Sequence, residues 1–258
     1  MAYSLEDKLL IVVSASALEA ALPLAGALSA MRREGDIGAD FLVISREGGS
    51  AVNEIFKSAM ALESDIIRCA CTGGAELAPY LKALGADLFL SDCEEDVQSA
   101  TDAGLCAALL YPCAAAAERA PALRLAFDAD AVLFEDSELS RMPSLAAFSA
   151  HEAERAQIPL PDGPFAAFYR KLCRVRDMHP ALGLRLALIS SRSAPSHERV
   201  MNTLAGWGAL PDECFFLGGI DKAGIVQLFS PDMYFDDMHI HIESSTALVP
   251  CARVLYRK

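Results

Sequence analysis

The chain is short of basic residues. Lys and Arg number 22 against 35 Asp and Glu, a formal net charge of −13. A nucleic-acid polymer needs basic surface against its phosphates, so such a partner is excluded. A small phosphate ligand is not, because one metal ion and one or two basic side chains reverse the sign locally. The eight cysteines form no C-x-x-C pair. They sit in apolar contexts and read as reduced core thiols of a cytosolic protein. No apolar run is long enough to span a membrane, and none is expected to. Lys8 and the run from Leu9 to Val13 resemble the start of a secretory signal, but Glu6, Asp7 and Glu19 interrupt it. The expected location is cytoplasmic. At 258 residues, 53% of them hydrophobic, the chain has ample material for one large or two small domains.

What is present in an unusual place is carboxylate. Asp128 and Asp130 follow the apolar run Leu123–Phe127 and precede Ala131-Val132-Leu133-Phe134. Buried charges are costly unless paired or bound to metal. At the carboxyl end of a strand in an open parallel sheet they would line the crevice where α/β folds bind ligands. Asp236 and Asp237 close a second apolar run, Met233-Tyr234-Phe235. Several carboxylates converging at strand ends suit a hard cation such as Mg²⁺.

The two halves of the chain carry the same order of motifs. In the second, strands end in Asp128-Ala-Asp130, Ser190 and Asp236-Asp237, with Gly218-Gly219 after a third strand. In the first, the corresponding ends are Ser14-Ala-Ser16, Ser45, Ser91-Asp92 and Gly73-Gly74. Ser14 and Asp128 lie 114 positions apart, as do Ser16 and Asp130, whereas Ser45 and Ser190, Gly73 and Gly218, and Ser91 and Asp236 lie 145 apart. The difference, 31, places one insertion between the first two strands of the second half. Alternating strands and helices in each half predict an α/β fold of two Rossmann-like halves with parallel sheets. The first, residues 1–118, is degenerate and lacks catalytic charges, since Ser14, Ser16, Leu77 and Ser91 stand where the second has Asp128, Asp130, Lys222 and Asp236. The second, 119–258, carries the chemistry and a small helical cap at about 137–182. The low-complexity link Cys113–Arg119 joins them.

Asp-x-Asp, a strand-end Ser, a later Lys and a final Asp-Asp, in that order, resemble the four motifs of the haloacid dehalogenase-like phosphatases. The resemblance implies a role for each. Asp128 attacks phosphorus as a carboxylate nucleophile. Asp130 protonates the leaving oxygen and later deprotonates water. Mg²⁺ sits between Asp128, the backbone carbonyl of Asp130, and Asp236. Ser190 and Lys222 bind phosphoryl oxygens, and Lys222 holds Asp128 ionised. Asp237 orients the metal's water or Lys222.

The run Ala126-Phe-Asp-Ala-Asp-Ala-Val-Leu-Phe134 is similar to the first motif of the cytosolic 5'-nucleotidase type I family, with Ala129 where that family usually has Gly. Ser191-Arg-Ser-Ala-Pro-Ser-His-Glu-Arg-Val200, Thr203–Gly208, Phe215–Gly219, Phe235-Asp-Asp237 and His241-Ile-Glu243 resemble its later segments. His151-Glu152 and Pro159–Phe165 resemble its cap, and Cys71–Gly74 and Tyr80–Ala83 resemble its first half. The likeness implies Mg²⁺-dependent hydrolysis of nucleoside 5'-monophosphates, usually AMP and IMP, by a homo-oligomer. Two alternatives stay open: a related phosphatase acting on another small phosphate ester, and a non-catalytic nucleotide-binding protein.

Five further positions bear on substrate or metal. Arg192 offers a planar donor fork to ribose or phosphate, or else pairs with an acid. Ser191 and His197 are near enough in sequence to Ser190 to support or contact substrate. His239 and His241 alternate as if on one face of an extended segment. Phe165, Phe168, Tyr169 and Leu172 recur at helical spacing and should pack the cap onto the core; Trp207 should pack behind the second-half sheet.

Overall fold

The computed structural model describes residues 9–34, 39–62, 64, 66–113, 122–135 and 142–256. The link after Cys113 and the segment 136–141 lie outside them. Ten strands form one mixed, mostly parallel sheet: β1 (Leu9–Ser14), β2 (Ala39–Ser45), β3 (Cys69–Cys71), β4 (Leu88–Ser91), β5 (Ala107–Leu110), β6 (Arg124–Phe127), β7 (Arg185–Ser190), β8 (Glu213–Phe216), β9 (Met233–Asp236) and β10 (Cys251–Val254). The central strands are apolar without alternation; every residue of β1 is buried. That is the pattern of strands covered on both faces by helices. The helices among the described residues are α1 (Leu22–Glu34), α2 (Val52–Ala61), α3 (Leu77–Leu84), α4 (Glu94–Asp102), α5 (Leu145–Glu154), α6 (Ala166–Met178), α7 (His197–Gly206), α8 (Ala223–Phe229) and α9 (His239–Ser245).

The strand order is β3-β2-β1-β4-β5-β10-β9-β6-β7-β8. Read outward from the centre, β10-β9-β6-β7-β8 repeats β5-β4-β1-β2-β3. The repeat extends to single hydrogen bonds at the same sequence offsets. Leu10 N–H donates to Asp87 at 2.7 Å, and Arg124 N–H donates to Asp232 at 2.8 Å. Thr72 N–H reaches the Ser45 carbonyl at 2.9 Å, as Leu217 N–H reaches that of Ser190. Gly73 and Gly74 have φ of 64° and 94°, and Gly218 and Gly219 have 59° and 89°.

Where two parallel sheets were expected there is one, because β5 and β10 pair antiparallel, with Leu109 opposite Arg253. The carboxyl ends of the two parallel sets therefore open on opposite edges of the sheet. Ser14, Ser16 and Ser91 do not face Asp128. The insertion also divides differently from its sequence reading. α6 is the crossover helix between β6 and β7, the place that α1 holds between β1 and β2. Phe165, Phe168 and Tyr169 are fully buried, and their rings pack edge-on against Phe127 at 5.3 to 6.5 Å. This aromatic face belongs to the core of the half rather than to a lid above it.

The chain ahead of α6 is held against the site loop. Phe134 bridges Asp162, and Gly163 N–H donates to the Leu133 carbonyl at 2.9 Å. A Cβ on Gly163 would lie 2.5 Å from the Phe134 carbonyl oxygen. Gly163→Ala is therefore expected to lower stability by about 1–3 kcal/mol through overpacking, read as a lower urea midpoint at unchanged slope.

Candidate active site

The second-half site is built at the carboxyl ends of the neighbouring strands β6 and β9. Asp128 is the first residue after β6, and its N–H donates to the Phe235 carbonyl of β9 at 2.9 Å. That bond locks the two strand ends together. Asp236 ends β9. Lys222 is the N-cap residue of α8 and is fully buried. Its Nζ lies 2.8 Å from Asp128 Oδ2 and 2.7 Å from Asp236 Oδ2. The structure thus brings together three of the residues singled out from sequence.

Asp236 is crowded with donors. Tyr234 Oη donates to Oδ2, Met238 N–H donates to Oδ1 at 2.8 Å, and His241 Nδ1 stands 3.1 Å from both oxygens. Burial pushes its acidity down, but the bonds from His241 and Lys222 outweigh burial and hold the carboxyl below its usual range. Asp128 has less support. Burial, reinforced by the Asp236 charge, raises its pKa to about 7 against the opposing pull of Lys222. Half-buried Asp237 is raised to about 8, again chiefly by burial, with Asp128 and Asp236 adding repulsion. The cluster holds more carboxylate than one ammonium can balance.

That imbalance is the test of whether a cation fits. Ligating atoms of Asp128, Asp236 and His241 lie within 4.8 Å of one another. Two buried carboxylates with unbalanced charge form a hard-oxygen donor set suited to a divalent ion.

His241 escaped the sequence reading in part. His-Ile-His-Ile looks like a strand by its period of two, yet residues 239–245 form α9. The helix turns Ile242 into the core and His241 toward Asp236, leaving Ile240 exposed. His239 sits away from that contact, its ring edge-on to Tyr111 at 6.1 Å. The pair does not form a two-histidine face.

Asp130 takes a different partner. Its carboxylate accepts from Arg192 Nε at 2.8 Å and Nη2 at 2.7 Å. Arg192, which follows β7, is pointed at the candidate acid itself. Its Nη1 donates to Glu152 on α5, and Glu152 accepts in turn from Arg199 on α7 at 2.8 Å. Glu152 and Arg199 lie within the family-like segments His151-Glu152 and Ser191–Val200, but neither was picked out as a site residue. Ser190 is buried at the end of β7, its Oγ accepting from Arg192 N–H at 3.1 Å. Ser191 is exposed. His197 lies in the first turn of α7, its ring 5.5 Å from that of Phe216. Trp207 packs on Phe134 and under the Arg170 guanidinium.

Ala129, where a glycine was expected, is fully buried and has no left-handed backbone; among the described non-glycine residues of this loop only Ala131 does, at φ 57°. A Cβ at 129 therefore costs no backbone strain.

The first half has a cavity of about 420 Å³ at the carboxyl ends of β1 and β2, lined in part by Ser14, Ser16, Ser45, Arg46 and Leu77. Ser16 Oγ donates to Asp92 at 2.5 Å, and Arg46 pairs with Asp96. No buried lysine stands between carboxylates there.

A 5'-nucleotidase family pattern matches residues 18–258. Human cytosolic 5'-nucleotidase 1B is 34% identical over 203 residues, 75% of this chain and 33% of that protein, so the chain spans about a third of its relative's length. Among solved structures, one titled as the Pnkp1/Rnl/Hen1 complex is 16% identical and covers 96% of each chain at a TM-score of 0.35. A histidinol dehydrogenase from Elizabethkingia anophelis is 12% identical, covering 93% of this chain and 52% of that one at 0.24. Neither likeness is close enough to bear on the fold. The family match runs over nearly the whole chain and includes every residue of the Asp128–Lys222–Asp236 cluster: this chain belongs to the 5'-nucleotidase family.

Proposed function

We propose that the protein hydrolyses nucleoside 5'-monophosphates to nucleoside and phosphate in its second half, residues 119–258, and that the first half, 1–118, has no turnover of its own. The observation that carries this reading is Lys222 buried between Asp128 and Asp236 at adjoining strand ends, in a chain of this family. An Asp128 oxygen attacks phosphorus while the bond to the 5'-oxygen breaks, and Asp130 gives its proton to that oxygen. Water then attacks phosphorus of the aspartyl-phosphate, Asp130 takes its proton, and phosphate leaves with Asp128 again a carboxylate. The Ser190 hydroxyl and the Lys222 ammonium hold phosphoryl oxygens through both steps.

Asp128, Asp236 and the Asp130 carbonyl would hold Mg²⁺, which offsets the repulsion between a phosphate dianion and the attacking carboxylate. Asp237 would orient the metal's water or Lys222, and Asp128 and Asp236 favour the protonated ammonium of Lys222. Hard carboxylate donors favour Mg²⁺ over softer metals. Among the described residues no helix is long and apolar enough to cross a membrane. The name of the human relative supports a cytosolic setting, and the family resemblance supports a homo-oligomer. The insertion proper is best placed at about 135–165, carrying α5, since α6 belongs to the repeat.

Phosphate release from a panel of nucleotides and sugar phosphates tests the reading. AMP and IMP should be cleaved with Mg²⁺ present, and Asp128→Asn should remove at least about 1,000-fold of the rate. Ser14→Ala, at the equivalent place on the opposite edge, should leave the rate within about twofold, because it touches no reacting group. Release from sugar phosphates alone would transfer the reading to another phosphate ester.

The raised acidities give a pH dependence. A carboxyl whose pKa is higher folded than unfolded makes the native state hold more protons between the two values, so stability falls as pH rises through that window. For Asp128 and Asp237 the window runs from the usual carboxylate range up to about 7 and about 8. Without metal, Tm should decline from about pH 5 to about pH 8.5, and Asp237→Asn should flatten that decline. Because Mg²⁺ favours the ionised carboxylates, it should raise Tm more at the alkaline end.

A further inference from the structure

The chain of charges Asp130–Arg192–Glu152–Arg199 is larger than stability requires. Glu152 and Arg192 are essentially out of solvent, with side-chain exposures of 0% and 3%. A buried ion pair is weak grounds for stability, since apolar groups of the same volume do as well or better. The arrangement is, however, unusually exact for one end product. Arg192 is fixed on every side: Nη1 donates to Glu152 and to the Ser196 carbonyl at 3.1 Å, its plane lies 5.1 Å from the Phe148 ring centre, and its remaining fork meets both Asp130 oxygens. Glu152 is fixed from behind by Arg199, which is anchored in turn by the Ile158 carbonyl at 2.8 Å. Asp130, by contrast, retains 30% side-chain exposure. The last member of the chain is the one that meets solvent, and it is the residue that must meet a leaving oxygen.

We infer that Glu152 and Arg192 are positioning residues: they clamp the plane of the Asp130 carboxylate so that its proton points at the ester oxygen. The inference rests on the reading of Asp130 as the acid. A bidentate guanidinium fixes a carboxylate plane, which a single hydrogen bond does not. The fork uses one acceptor site on each oxygen, and each oxygen has two. Glu152 serves by holding the far side of Arg192, together with the Ser196 carbonyl, so that the fork does not turn away from Asp130. Glu152 belongs to α5, in the stretch that has no counterpart in the first half. Correspondingly, Arg192 aligns with Glu47 at the offset of 145, and the first half has neither the acid nor its clamp.

The discriminating measurement compares two leaving groups on one enzyme preparation. An ordinary nucleoside 5'-monophosphate expels an alkoxide and needs the proton. The analogue with sulfur at the bridging 5' position expels a thiolate and does not. The readout is the rate constant of the first turnover, release of nucleoside or thionucleoside with enzyme in saturating excess, because the later step in which Asp130 activates water is common to both esters. The ratio of the two rate constants is independent of the fraction of protein that folds, so a variant of reduced stability still reports. Glu152→Gln and Arg192→Lys are expected to lower this first-turnover rate constant for the oxygen ester by about tenfold or more while changing it for the sulfur ester by less than about threefold. Glu152→Asp, which keeps the charge, should recover part of the oxygen-ester rate. Asp130→Asn is the control. If it too spares the sulfur ester but Glu152→Gln and Arg192→Lys slow both esters equally, the positioning role is wrong and the acid stands. If Asp130→Asn itself slows both equally, the acid assignment falls, and the clamp with it.

Discussion

One ammonium group sets the terms for the rest of the molecule. Lys222 Nζ is fully buried within 2.8 Å of two carboxylates, and an ion taken out of water without partners would cost several kcal/mol. The contact is possible only if the ends of β6 and β9 and the start of α8 converge, and the Asp128 N–H bond to the Phe235 carbonyl makes them do so. On the α8 face of the sheet lies the buried apolar cluster of Ala126, Val226, Phe229, Tyr234 and Ile242, while the Phe127 and Phe235 rings, stacked at 5.2 Å, fill the opposite face with Phe165, Phe168 and Tyr169. Lys222, Asp128 and Asp236 are themselves buried, which strengthens every interaction among them. That burial also leaves the excess of negative charge unrelieved, and Asp128 shows this as a raised pKa. Fold and chemistry meet here: the packing that stabilises the half is what makes the site hungry for a cation.

A second polar system stands beside the first but is separate from it. The Lys222 cluster carries more negative charge than positive, whereas Asp130, Arg192, Glu152 and Arg199 balance one for one. The two face one short loop, 128–134, whose turn is closed by Leu133 and Phe134 N–H groups on the Ala129 carbonyl. Two aspartates separated by one residue thereby live in different electrostatic surroundings. This is the condition under which neighbouring carboxyl groups take on different tasks.

Much of this was legible in the chain. Strand-end carboxylates, serines and glycine pairs at two constant offsets gave the architecture, because a backbone turn with positive φ or a side-chain oxygen capping the next N–H needs particular residues at particular positions. Asp128 and Asp236 stood out as carboxylates closing apolar runs, and Lys222 through the resemblance of the motif order. Elements without such punctuation were missed. β5 is Ala-Ala-Leu-Leu and β10 is Cys-Ala-Arg-Val, both too short and too plain to stand out, so the antiparallel join between the halves was invisible. α9 was misread because alternating His and Ile imitate a strand. Glu152 and Arg199 stood inside family-like segments but drew no role, since a charged residue looks the same in sequence whether solvent or a buried partner receives it.

The β5–β10 seam has a meaning of its own. Two sheets that meet by pairing the corresponding edge strands antiparallel are related as the subunits of an isologous dimer are, each using the same surface against the other. A free β5 edge would invite pairing with any other exposed strand. Here each half blocks the other's open edge, leaving only the short β3 and β8 at the rims of the sheet. Within one chain the two halves thus make a seam that a single half would need a second copy to achieve.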